Sequence, residues 1–103
     1  KYFDQFSSDD KLLEARKFGC TGDAYAELKQ MDKAIENYKK AGEIVDNDLT
    51  TPVYLYRAAL ALEQQDKKKE ALELYNQVFN GYPDTQEGVA AETNIAKLEQ
   101  QVN

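Results

Sequence analysis

The feature that most constrains this chain is that part of it is written twice. Residues Gly22-Asp23-Ala24-Tyr25 through Met31-Asp32-Lys33-Ala34-Ile35-Glu36-Asn37-Tyr38 lie in register with Ala59-Leu60-Ala61-Leu62 through Lys68-Lys69-Glu70-Ala71-Leu72-Glu73-Leu74-Tyr75. Ala34/Ala71, Tyr38/Tyr75, Ala24/Ala61 and Tyr25/Leu62 all share one offset of 37 residues (71 − 34). A period of this size marks a repeat architecture, in which each unit buries its apolar face against the next.

Within the period, apolar residues recur every three or four positions, the spacing of a helix face. Five helical segments follow from that spacing and from the punctuation between them. Lys1 to Phe6 read as the tail of a helix that begins upstream, so the chain reads as a fragment of a longer protein. Ser7-Ser8-Asp9-Asp10 supplies capping oxygens for a long helix whose face is Leu12, Ala15, Phe18, Gly22, Tyr25 and Leu28. A turn at Lys29-Gln30 leads to a second helix from Asp32 to Val45, with a stripe of Ala34, Ile35, Tyr38, Ala41 and Ile44.

Asp46-Asn47-Asp48 breaks the pattern, and Thr51-Pro52 restarts it, the hydroxyl capping and the proline standing at the first helical position. The third helix carries Leu55, Ala58, Ala59 and Leu62 and ends near Gln65-Asp66. The fourth carries Ala71, Leu72, Leu74, Tyr75, Val78 and Phe79 and stops at Asn80-Gly81. Beyond Tyr82-Pro83, Asp84 caps a last helix reaching Gln101, with a thin stripe of Ala91, Ile95, Leu98 and Val102. No alternating β-branched run is present. The expected fold is all-α, one domain of antiparallel helix-pair repeats. Residues 1–10 are a remnant of a preceding repeat, 11–48 and 49–83 are two repeats, and 84–103 is a capping helix.

This pattern resembles the tetratricopeptide repeat, a helix pair of 34 residues, here with about three residues added in the connecting loop. Phe18 and Leu55 match the bulky residue that opens the first helix of each pair. Gly22 and Ala59 match the small residue that lets the helices approach, and Tyr25 and Leu62 the large one a turn later. Ala34 and Ala71 match the tightest crossing, and Tyr38 and Tyr75 the aromatic after it. Pro83 follows the second pair, whereas Asp46 stands at that place in the first, and Lys29 and Asp66 replace the usual turn glycine. The resemblance implies a right-handed superhelix that binds proteins or peptides and catalyses nothing. The phrases Gly22-Asp23-Ala24-Tyr25, Asn47-Asp48-Leu49-Thr50-Thr51-Pro52 and Tyr82-Pro83-Asp84-Thr85 are also similar to repeat proteins of the bacterial cell envelope. Among these are the ancillary subunits of the Sec translocon, which implies a membrane anchor outside this chain.

The residues themselves speak against chemistry. There is no histidine, so neither the commonest general base nor a Ser-His-Asp or zinc constellation is available. Cys20, the single cysteine, has Arg16 and Lys17 one turn earlier but reads as a bystander thiol. Asp46-Asn47-Asp48 fails as a calcium loop, since Thr51 stands at the glycine position and Arg57 where the bidentate Glu belongs. No cofactor or metal is expected. A net charge of −6 opposes nucleic acid, and Lys67-Lys68-Lys69 runs straight into Glu70 as a solvated helix edge. No stretch approaches the roughly 20 apolar residues of a membrane span.

The resemblance places a partner on the inner surface formed by the first helix of each pair. That surface carries Arg16, Gly19, Asp23, Ala26 and Glu27, then Val53, Tyr56, Leu60, Glu63 and Gln64. Tyr56 and Leu60 form an apolar platform flanked by Asp23, Glu27 and Glu63; the alternative is that Tyr56 is half buried against a neighbouring helix. The Lys and Asn clamp by which some family members grip a C-terminal carboxylate is absent, with Gly19 and Asp23 at those places. The expected function is a scaffold for assembly of a protein complex, or alternatively a structural spacer or homo-oligomerisation segment. Because the preceding repeat is expected to be truncated, Tyr2, Phe3 and Phe6, or Leu12 and Leu13, are expected to lack part of their packing. A second copy or a rearranged N-terminal segment is expected to cover them, and exposed apolar surface there favours the second reading.

Overall fold

Alanines and glycines at the crossings, with tyrosines and leucines beside them, determine how five helices stack. The computed structural model describes the backbone of residues 2–102 and the side chains of residues 10–101. The helices are α1 (Tyr2–Glu27), α2 (Met31–Ile44), α3 (Thr51–Gln64), α4 (Lys68–Gly81) and α5 (Gln86–Val102), and no strand occurs among the described residues. Each helix packs on the next in sequence, and α5 also touches α3. The order is therefore two hairpins, α1–α2 and α3–α4, joined through α2 and α3 and followed by a fifth helix.

The crossings are close because the side chains there are small. Ala34, Ala41, Ala58, Ala59 and Ala71 are fully buried, and Tyr75 is enclosed among them. A methyl group at Gly22 would stand 2.7 Å from the Tyr38 ring and 3.2 Å from the Ala34 carbonyl oxygen, so α1 approaches α2 through a position that has no room for Cβ. Gly42 plays the same part between the hairpins, where a Cβ would meet Leu55 at 2.7 Å. The core continues through Ile35, Leu62, Leu74 and Val78 to Ala91 and Leu98 of α5. The expected stripe of α3 is buried, and those of α2 and α4 are buried except for Ile44, Leu72 and Phe79, which are half-buried. The stripe of α1 is only partly so: Ala15 and Gly22 are buried, Phe18 and Tyr25 half-buried, and Leu28 exposed.

The two hairpin turns duplicate one another bond for bond. Lys29 and Asp66 take the left-handed conformation, φ 63° and 62°. Gln30 N–H donates to the Tyr25 carbonyl and Lys29 N–H to Ala26; Lys67 N–H donates to Leu62 and Asp66 N–H to Glu63. Each set is a Schellman closure, which satisfies carbonyls left open at a helix end.

Several details of punctuation differ from the sequence expectation. No break occurs at Ser7–Asp10. One helix runs through it, because Ser and Asp cost a helix interior only tenths of a kcal/mol and neither Pro nor Gly is there to stop it. Thr51 is the first helical residue rather than the cap, and its hydroxyl donates to the Val45 carbonyl and accepts from Asn47 N–H. The loop is organised instead by the Asn47 side chain, which accepts from the N–H groups of Leu49 at 2.8 Å and Thr50 at 2.7 Å. Thr85, not Asp84, caps α5, its hydroxyl accepting from Gly88 N–H at 3.0 Å; it is the residue immediately before the first turn, where a short side chain reaches the third N–H. The side chains of Tyr2, Phe3, Phe6 and Val102 lie outside the described residues, while Leu12 is half-buried and Leu13 is 55% exposed.

Two outcomes follow for stability. Lys29→Gly removes a left-handed penalty of about 1–2 kcal/mol and adds back part of it as chain entropy. The net expected gain is about 0.5–1 kcal/mol in urea unfolding, with a smaller gain for Asp66→Gly because Asp tolerates this conformation better. Ala34→Leu or Ala71→Leu overpacks the crossing and lowers stability by about 1–3 kcal/mol in the same assay.

Candidate partner-binding groove

The end of α1 is bridged to α3, and α3 to α5, by polar contacts that repeat in kind. In the first hairpin the Tyr38 hydroxyl donates to Asp23, and Arg57 of α3 reaches the same carboxylate at 3.1 Å. In the second the Tyr75 hydroxyl donates to Glu63 at 2.8 Å, and Lys97 of α5 reaches that carboxylate at 3.2 Å. Each assembly links three helices: a buried tyrosine, a carboxylate on the first helix of the pair, and a cation from the helix that follows. The acid and base are 34 residues apart in both cases (57 − 23, 97 − 63). Arg57 also lies over the Tyr54 ring, 5.5 Å from its centroid.

Two depressions open on this side. The first, about 340 Å³, lies between α1, the start of α2 and α3, with Glu27, Met31, Arg57, Leu60 and Gln64 around it and Tyr38 below. The second, about 290 Å³, lies between α3 and α5, bounded by Leu60, Glu63, Gln64, Asn94 and Lys97. Leu60, 38% exposed, and Gln64 form the wall common to both.

The structure brings together Glu27, Leu60, Glu63 and Gln64 of the residues read from the sequence. Asp23 is held at the edge by Arg57 and Tyr38, and Arg16 is exposed on α1 and lines neither depression. Tyr56 is half-buried: its ring stands edge-on to Tyr75 at 5.5 Å, and its hydroxyl accepts from the Asn94 amide at 2.7 Å. The free apolar surface at the wall is therefore that of Leu60. Gly19 is not part of the surface; it is buried beneath the Tyr54 ring, which occupies the space a side chain would fill.

Met31, Tyr54, Arg57, Asn94 and Lys97 were not picked out by sequence reasoning. The two acid–base pairs left a signal, an acidic and a basic residue one family period apart. Tyr54 left a fainter one, a glycine at position 19 where the second repeat has Tyr56. Cys20 is exposed, and among the described residues no group of three or more His, Cys, Asp or Glu is placed to hold a metal ion. No helix, among the described residues, is long and apolar enough to cross a membrane.

Stacked hairpins with closely equivalent turns, carrying a groove along the first helix of each, define a helical-hairpin repeat protein. The family model described as Tetratricopeptide repeat matches residues 13–84, and the chain belongs to that family. Its members generally act in protein–protein interaction and scaffolding and are typically non-catalytic. No curated protein and no solved structure matches the chain.

Burial first, then the hydrogen bonds to Asp23 and Glu63, push the Tyr38 and Tyr75 phenols well above the usual tyrosine range. An unfolded chain loses these protons near pH 10 while the folded one keeps them. Their contribution to stability is thus complete below about pH 10 and declines as pH rises from there toward the folded values. Tyr75→Phe should cost about 1 kcal/mol at neutral pH through the lost hydrogen bond. It should also flatten the fall in urea midpoint between about pH 9 and pH 11 relative to the unaltered protein.

Proposed function

We propose that the chain is a non-catalytic scaffold that seats a protein or peptide segment along the wall formed by Leu60 and Gln64 and acts in assembly of a protein complex. The observation that carries this reading is the state of that wall. Leu60 is exposed between two depressions, while Asp23 and Glu63 on either side are already matched by Arg57 and Lys97. A ligand there displaces water from an apolar side chain and leaves no ion pair to be broken. On this reading residues 11–48 and 49–83 act as the two repeats and 84–103 as the cap. The finer setting, an ancillary subunit of the bacterial envelope anchored outside this chain, is supported by the sequence phrases alone.

A second reading, a spacer or self-association segment, is supported by Leu13, 55% exposed, close in sequence to half-buried Phe18 on α1. Sedimentation separates the two: self-association gives a concentration-dependent mass. For the scaffold, titration calorimetry against the partner recovered with the full-length protein should show Leu60→Ala weakening binding by about 1–2 kcal/mol with unchanged circular dichroism. Tyr56→Phe, which removes only the hydroxyl turned to Asn94, should bind like the unaltered protein. Equal binding by Leu60→Ala would remove the wall from the site.

A further inference from the structure

The acidic side chains of the groove differ in what they have to hold. Asp23 is matched by Arg57 and Glu63 by Lys97. Glu27 is exposed, lines the larger depression, and meets no cation within ion-pair distance among the described residues. Its place in the helix makes this costly. It is the last residue of α1, where backbone carbonyls gather partial negative charge, and no basic residue stands in that turn. The corresponding residue of the second repeat, Gln64, has the same shape without the charge and lines the same depression (64 − 27 = 37). Nothing in the hairpin closure needs the carboxylate, since the second turn forms the same backbone bonds with an amide there. Of the cations near it, Arg57 is held by Asp23 and the Tyr54 ring, and Lys33 lies over the Tyr25 ring at 5.5 Å. Lys29, in the turn beyond, makes no ion pair with Glu27 among the described residues.

We infer that the depression between α1 and α3 selects a peptide segment that carries Lys or Arg beside an apolar residue. The apolar side chain fills the space between Leu60 and Met31, and the cation stands against Glu27 and the carbonyl end of α1. The charge of the partner is thereby fixed at one position, although the rest of the groove is neutralised from within. This rests on the groove reading above and adds the chemistry of its ligand.

The test is selection of random dodecapeptides displayed on phage against the full chain, followed by fluorescence titration of one synthetic peptide from the enriched pool. The expected pool places Lys or Arg next to an aliphatic residue. Leu60→Asp should raise the Kd about thirtyfold or more. Glu27→Gln should raise it about three- to tenfold, and Glu27→Lys further. Replacing the cation of the peptide by Glu should restore binding to Glu27→Lys, a swap that a purely structural role for Glu27 would not produce. Loss of binding in Leu60→Asp with no response to the Glu27 variants, or no recovery in the swap, overturns the inference and leaves the groove standing. A selection that yields no peptide sensitive to Leu60→Asp overturns both.

Discussion

Everything in this chain depends on how closely two helix backbones meet at Ala34 and again at Ala71. Both alanines are fully buried, and opposite the first Gly22 has no room for a Cβ. That approach sets the tyrosine one turn later at a depth where its ring is enclosed and its hydroxyl still reaches the groove side. A larger residue at the crossing would lift the tyrosine away from its carboxylate, and with it the cation supplied by the next helix. Core packing and groove electrostatics are thus consequences of the same few missing methyl groups.

The groove is electrically unusual for so acidic a protein. Two of its carboxylates are spent on holding the helices together, which places fixed charge pairs on either side of Leu60. Exposed pairs of this kind contribute little each to stability, about 0–1 kcal/mol. Their larger effect is to neutralise Asp23 and Glu63, so the character of the site is set by what remains: one aliphatic wall, a neighbouring amide, and the carboxylate of Glu27.

Much of this was legible because the chain repeats. The register of Ala34 with Ala71 predicted which residues meet, and the substitution of Lys29 and Asp66 for glycine marked the two positions that take left-handed backbone. What was not legible lies where no second copy exists to compare. The last helix has no counterpart, so its cap at Thr85 and the contact of Asn94 with Tyr56 had no pattern behind them. The family resemblance places Tyr56 on the inner surface, either in an apolar platform or half buried against a neighbouring helix, and the structure has it half-buried. Spacing gives the face of a helix but not what a neighbouring helix places against it, here Tyr75 and Asn94. The hydroxyl of Thr51 turned back to Val45 for a similar reason, since capping chemistry allows either direction and the loop decides.

The bridges from Asp23 to Arg57, from Asp32 to Lys67 and from Glu63 to Lys97 join different parts of the stack, as do apolar contacts such as Leu55 on Gly42. Neighbouring parts of the stack are therefore held by two kinds of tie, one apolar and one ionic. Dissolved ions weaken only the second kind of tie. Rising ionic strength therefore slackens the links between neighbouring helices while the apolar contacts keep the hairpins stacked.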